Sequence, residues 1–299
     1  MNMSDGIKGA APRRGARELA LGFALLVGLT ACSGGAGSGA ASSDPPPVSE
    51  PQVGGPPPDP VQPDVAEAID LRHWRLTIPA DANGGVLGSA LIVETASLIA
   101  TPAYQSAWFY TDAAQALHFW VPVNGAISGT STHPRSELRE MLDPDNAAIN
   151  WSSAGYSELL ARCAVVQTPS VSRGVVVGQV HAYRSNGPLL LLRFTQDPVS
   201  GLGEVVAIIN PTPSATASQR KRYTLATGLR LDEAFDYRMA VDRGVLSVEV
   251  NGNGISYPIG TAWAGAGHFF KAGAYILDED GDANDGAHVA FFRLAVTHR

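Results

Sequence analysis

An all-β sandwich is the fold this sequence predicts, and three observations carry that expectation. Apolar runs of strand length recur after residue 65, each closed by turn-forming residues. Turn formers are plentiful, with 32 Gly and 21 Pro among 299 residues, as a fold of many short strands requires. Several runs alternate polar and apolar side chains, so that one face of the strand meets a core and the other does not.

The chain opens on an export signal. Arg13, Arg14 and Arg17 precede an apolar run from Leu19 to Leu29, which ends in Leu29-Thr30-Ala31-Cys32. A basic segment, a short apolar core and small residues at the cut are the parts of a secretory signal, here residues 1–31. The run is short for a membrane span, which takes about 20 residues. Leu-Thr-Ala-Cys resembles the bacterial lipobox, which implies a mature protein lipidated at Cys32. Ser33 after it resembles lipoproteins sent to the outer membrane. Residues 32–65 are Gly, Ala and Ser first and Pro-rich from Pro45 to Pro63. With no Leu, Ile, aromatic, Lys or Arg they cannot bury a core, so a disordered tether is expected.

Residues 66–299 then read as one domain, without a repeat or a second low-complexity break. Its expected strands are Ser157–Val166, Gly174–Tyr183, Leu189–Thr195, Glu204–Ile209, Tyr237–Asp242, Val245–Val250, His268–Leu277 and Ala287–Val296. Breakers part them, among them Ser185-Asn186-Gly187-Pro188, Asp242-Arg243-Gly244 and Asn251-Gly252. Only Val86–Ala100 and Asp143–Asn150 suggest short helices. A sandwich or jelly roll follows.

Composition removes several function classes. The formal charge is −7, which argues against nucleic-acid binding but leaves room for an anionic substrate in a local basic groove. Two distant cysteines, Cys32 and Cys163, exclude a disulfide framework and a Cys-based zinc site. Cys163 alternates with apolar residues and reads as a core thiol. No GxSxG, HExxH or P-loop is present. The acidic run Asp278–Gly286 lacks the glycine and the closing Glu of an EF-hand, so it reads as a solvated hairpin loop.

Strand parity singles out three segments. Gln179, His181 and Tyr183 share one face, opposite Val180 and Ala182. Arg135, Glu137 and Arg139 share another, with Leu138 behind. Lys271, Gly273 and Tyr275 share a third, with Phe270, Ala272 and Ala274 behind. Unpaired charges would cost several kcal/mol in a core, so these faces read as a polar groove across one sheet.

Arg135-Ser136-Glu137-Leu138-Arg139-Glu140-Met141, Gln179-Val180-His181 and Phe270-Lys271-Ala272-Gly273-Ala274-Tyr275 resemble the three signature regions of alginate lyases of polysaccharide lyase family 7. The likeness spans roughly Asp70 to Arg299. It implies a β-jelly-roll sandwich with a substrate groove across one sheet, and an anionic polysaccharide, alginate, as partner. It places the catalytic residues on Arg135, Gln179, His181 and Tyr275, and uronate contacts on Arg139 and Lys271. Tyr183 and Glu137 share the polar faces and join the candidate substrate contacts. Glu137, flanked by two arginines, reads chiefly as their partner. One departure is Ile276-Leu277, where many members carry Asn or Gln, and it bears on subsite preference.

These residue types suit β-elimination. The C5 proton of a uronate lies beside a carboxylate, and that charge must be neutralised as the proton leaves. Arg135 offers a fixed positive fork and Gln179 an amide. His181 and Tyr275 are the candidate base and acid; for Tyr to act as base, its pKa must fall from about 10, and Arg135 and Lys271 are the suitable neighbours. The scheme needs no metal or cofactor, and a monomer is expected. The remaining candidates His73, His118, His268, His288 and His298 read as structural. A carbohydrate-binding sandwich would want exposed aromatic platforms, and a glycoside hydrolase two flanking carboxylates; neither needs Gln179, His181 and Tyr275 together. A lyase for another polyuronate is a further alternative. Val180 between Gln179 and His181 resembles members that favour mannuronate, so mannuronate or mixed blocks are the expected preference.

Overall fold

A computed structural model describes residues 69–129, 131–278, 281–282 and 284–299. The export signal, the tether and Cys32 lie outside the described residues. The chain runs through β1 (Trp74–Thr77), β2 (Ile92–Val93), a single helical turn α1 (Thr95–Leu98), β3 (Phe109–Thr111) and β4 (Leu117–Pro122). It continues through β5 (Arg135–Glu140), β6 (Trp151–Ser152), β7 (Tyr156–Gln167), β8 (Gly174–Ala182), β9 (Leu190–Gln196) and β10 (Gly203–Ile209). The last strands are β11 (Lys221–Leu229), β12 (Ala234–Asp242), β13 (Val245–Val250), β14 (Asn253–Pro258), β15 (Gly267–Tyr275) and β16 (Gly286–His298).

These strands form the two antiparallel sheets of a jelly roll. One has the order β11-β10-β9-β8-β15-β5-β1-β2, with β6 added beside β15; the other has the order β14-β13-β12-β7-β16-β4-β3. The core lies between them. Val175, Val177, Val180, Leu190, Leu192 and Phe194 face inward from the first sheet, and Leu159, Cys163, Phe235, Tyr237, Met239 and Phe291 from the second. Burying each large side chain stabilises the fold by about 1.5–3 kcal/mol. Alternation therefore fixes the register, because a one-residue slip would turn each inward set to solvent.

Two irregularities shape the outer face of the first sheet. The β8–β9 register shifts between Val176 and Gly178, so Val176 and Gln179, three residues apart, both point away from the core. The β8–β15 register shifts between Ala272 and Tyr275. Gly273 there has φ +141°, and a Cβ on it would stand 2.6 Å from the Ser136 carbonyl oxygen. Only glycine fits this bulge without strain.

The eight strands expected from apolar runs are all present, with ends displaced by at most a few residues. β11 and β14 are harder to read from apolar runs, because they are edge strands whose side chains are largely exposed. Helix in Val86–Ala100 reduces to α1, and Asp143–Asn150 forms turns instead. There the side chains of Asp143 and Asn146 accept from the N–H groups of Asp145 and Ala148, a local bonding pattern that competes with helix.

Candidate active site

Three neighbouring strands bring the motif residues together. Lys271 pairs with Arg139 on one side and Gln179 on the other, Gly273 pairs with Glu137, and Tyr275 pairs with Arg135. Paired residues of adjacent strands point the same way, so parity on each strand becomes one surface across β5, β15 and β8.

Glu137 is the hub beneath that surface. It is 1% exposed, accepts from Gln179 Nε2 and Lys271 Nζ, and takes Arg135 Nη1 at 3.2 Å. Burial alone would raise its carboxyl, but Lys271, Arg135 and these hydrogen bonds together hold it below the usual range. So placed, Glu137 orients three side chains from below and is not itself open to a ligand. Lys271 is buried with it, and desolvation together with Arg135 lowers its ammonium to about 8.

Arg135 and Tyr275 form the next layer. The guanidinium carbon lies 4.2 Å from the centre of the Tyr275 ring, and its Nη2 donates to Ser131 Oγ. Burial raises the phenol, and the nearby Arg135 cation does not offset it. Tyr275 is thus protonated at neutral pH and ready to donate. The lowered pKa expected for a tyrosine base is absent in the free protein, because burial outweighs Arg135.

His181 lies across β8 from this pair. Its ring stacks on Phe269, with centroids 5.4 Å apart, and its Nδ1 lies 2.9 Å from the Ala182 carbonyl oxygen. Desolvation and the Lys271 charge lower its pKa to about 4, so the imidazole is neutral over most of the pH range. Nδ1 also lies 2.9 Å from the Ala182 backbone N–H, so the proton sits on either ring nitrogen; in the tautomer whose Nδ1–H donates to the carbonyl, Nε2 keeps a lone pair that can take a proton.

The other expected contacts are arranged differently. Arg139 is 5% exposed; it lies 4.1 Å from the centre of the Phe269 ring and donates to the Ala147 carbonyl and Asn150 Oδ1. Burial and the neighbouring Arg75 lower its pKa to about 10. Its hydrogen bonds tie the 143–150 turns to the sheet. Tyr183 follows the end of β8, is 36% exposed, and carries the Arg184 guanidinium 5.1 Å from its ring centre. Among the described residues, no group of three or more His, Cys, Asp or Glu is placed to hold a metal ion. Within the acidic loop, Asp278 and Asp285 accept from the backbone N–H groups of Ser172 and Ser170. Cys163 is a buried free thiol.

A family profile described as alginate lyase matches residues 69–298. The chain belongs to polysaccharide lyase family 7. Among solved structures, an alginate lyase from Pseudomonas aeruginosa is 34% identical over 77% of this chain and 100% of its own, with a TM-score of 0.68. The family 7 alginate lyase A1-II′ is 31% identical over 77% of this chain and 96% of its own, at 0.66. An alginate lyase from Klebsiella pneumoniae is 26% identical over 77% and 96%, at 0.67. No curated protein matches the chain.

Some parts of this alginate lyase site were not legible in sequence. Ser131 and His133 belong to a loop with no periodic signal, yet Ser131 bonds Arg135 and the His133 ring meets Tyr275 edge-on at 6.3 Å. Phe269 could be placed on a strand, but its role as a platform for His181 and Arg139 needs the β15–β8 register. Glu137 was legible as a partner of arginines, while its bonds to Gln179 and Lys271 were not.

Proposed function

We propose that this alginate lyase cleaves its polymer by β-elimination, with Tyr275 as general acid and His181, Gln179 and Arg135 around the substrate carboxylate. The observation that carries this is the charge state of the cluster: a neutral imidazole and a protonated phenol beside a guanidinium that is itself held by Glu137. A uronate carboxylate seated between Arg135 and Gln179 loses much of its charge, which makes the C5 proton easier to remove. A base takes that proton, the electron pair forms the C4–C5 double bond, and the C4–O bond breaks. Tyr275 gives its proton to the departing oxygen, leaving an unsaturated uronate at the new non-reducing end.

Mannuronate or mixed blocks are the proposed preference. Val180 is fully buried in the core, so it acts on the sugar only through the position of the strand bearing Gln179 and His181; a shift near 1 Å can change rates about 100-fold. On mannuronate the C5 proton and the leaving oxygen share one face, and Tyr275 serves both after losing its own proton. A second reading, guluronate cleavage with His181 as base, is favoured by the neutral imidazole and the protonated phenol. Initial rates on pure poly-mannuronate and poly-guluronate separate the two. Faster mannuronate cleavage is expected, with His181→Ala losing more activity on guluronate; equal or faster guluronate cleavage overturns the preference.

We also propose that the mature protein is tethered to the outer membrane through lipid on Cys32, as Leu29-Thr30-Ala31-Cys32 suggests. Cys32→Ser should move the protein from the membrane fraction to the soluble fraction, and unchanged fractionation overturns the anchor.

A further inference from the structure

The catalytic sheet is braced from its core side where its hydrogen-bond ladder is interrupted. β15 pairs with β5 as far as Lys271, opposite Arg139, and its next pairing on that flank is His268 with Trp151 of β6. Among the described residues, no strand partner on that flank faces Phe269 or Phe270, which lie between. A side chain fills the gap: Glu140 Oε2 accepts the Phe270 backbone N–H at 2.8 Å. A buried backbone N–H needs a partner, so this carboxylate stands in for a carbonyl of the missing strand. Alternation sends Glu140 inward while Arg135, Glu137 and Arg139 of the same strand face the groove, and it is 2% exposed.

Glu140 gathers donors from both sheets. Oε2 also accepts from Trp151 Nε1 at 2.9 Å, and Oε1 takes His298 Nε2 at 2.6 Å. The Trp151 ring lies against Phe270, with centroids 4.9 Å apart. His298 belongs to β16 of the opposite sheet, and its Nδ1 lies 3.0 Å from Ser157 Oγ on β7. The carboxylate only accepts, so Nε2 carries the proton that faces it. What Glu140 holds matters because of the neighbours of Phe270. Phe269, one residue earlier, carries the His181 ring stacked at 5.4 Å and the Arg139 guanidinium 4.1 Å from its centre. Lys271, one residue later, donates to Glu137.

We propose that Glu140, braced from the opposite sheet by His298, is a positioning residue for the elimination: it fixes Phe270, and through Phe269 the orientation of the His181 ring. It lies behind the sheet and does not meet the substrate. The proposal rests on the reading of His181 as a group that works on the uronate during elimination. Without the carboxylate, the Phe270 N–H and the Trp151 indole lose their acceptor, and β15 shifts to satisfy them. A displacement near 1 Å can cost about 100-fold in rate. Arg135 and Gln179 stand on β5 and β8 and still hold the uronate, so the loss falls on kcat rather than on KM.

The test measures kcat and KM on alginate, followed by the ultraviolet absorbance of the new double bond, with folding of each variant checked by thermal unfolding. Glu140→Leu removes both acceptor oxygens, and kcat should fall roughly ten- to a hundredfold with KM within about twofold. Glu140→Gln should stay within about threefold of wild type, because its amide oxygen still accepts from Phe270 and Trp151 while His298 changes tautomer to meet its NH2. His298→Ala leaves the Phe270 bond but frees one side of the carboxylate, and should lower kcat about three- to tenfold. The His298 side chain is 31% exposed, so this variant carries the test if Glu140→Leu does not fold. Coupling to Phe269 gives the second readout. In a Phe269→Leu background, which lacks the ring being positioned, either change should lower kcat by less than about twofold. Wild-type kcat in folded His298→Ala or folded Glu140→Leu overturns the proposal. So do losses that stay fully additive with Phe269→Leu, or a Glu140→Gln variant as slow as Glu140→Leu. If wild-type protein produces no double bond, the elimination itself has failed instead.

Discussion

At the scale of single residues, the site is organised by one buried carboxylate. Glu137 makes hydrogen bonds or ion pairs with Gln179, Lys271 and Arg135, and these fix three side chains before any substrate arrives. Such preorganisation removes the cost of reorienting dipoles during reaction. The same burial sets the working pH. In the free protein His181 titrates near 4 and Lys271 near 8. Acid therefore removes the neutral imidazole, and alkali removes a cation that attracts the polyanion. The kcat/KM profile should fall below about pH 4 and again above about pH 8, since that ratio reports groups of the free enzyme. Lys271→Arg retains its charge in alkali, so the upper limb should move to higher pH; a limb that stays in place assigns it to another group.

At the scale of elements, much of the site was legible because strands expose a period of two. The positions of Gln179 and His181 on one face, and of Lys271 and Tyr275 on another, need only alternation. The order in which strands become neighbours is not local information. The contact of β15 with both β5 and β8 joins segments more than 40 residues apart, and only this pairing makes Glu137 a partner of Gln179. The bulge at Gly273 was equally hidden, since a lone glycine in a strand does not announce its φ. It sets Tyr275 beside Arg135 and Val176. Gly273→Ala should lower stability by about 1–3 kcal/mol through backbone strain and cut turnover more steeply, as Tyr275 shifts against Arg135. Denaturant unfolding and initial rates check this; wild-type values in both would mean the bulge tolerates a side chain.

At the scale of the whole molecule, the sandwich separates its tasks between two sheets. The seven-stranded sheet supplies half of the core and carries ion pairs on its other face, such as Arg238 with Glu158 and Glu249. The second sheet presents the catalytic cluster over β5, β15 and β8. An overall charge of −7 would repel a polyanion, so the local excess of Arg135, Arg139 and Lys271 over Glu137 must dominate at close range, where screening leaves short contacts intact. This charge separation is how a chain of net negative charge holds the local basic groove that its composition left room for. The central claim is elimination with Tyr275 as acid, and one measurement addresses it most directly: the rise in ultraviolet absorbance on poly-mannuronate for wild type and for Tyr275→Phe, with folding of both checked by thermal unfolding. Wild type should generate the C4–C5 double bond, and the variant, folded and still substrate-binding, should be slower by about 10²–10⁴-fold. A folded Tyr275→Phe variant that keeps more than half the wild-type rate, or a wild type that cuts the polymer without forming the double bond, would contradict it.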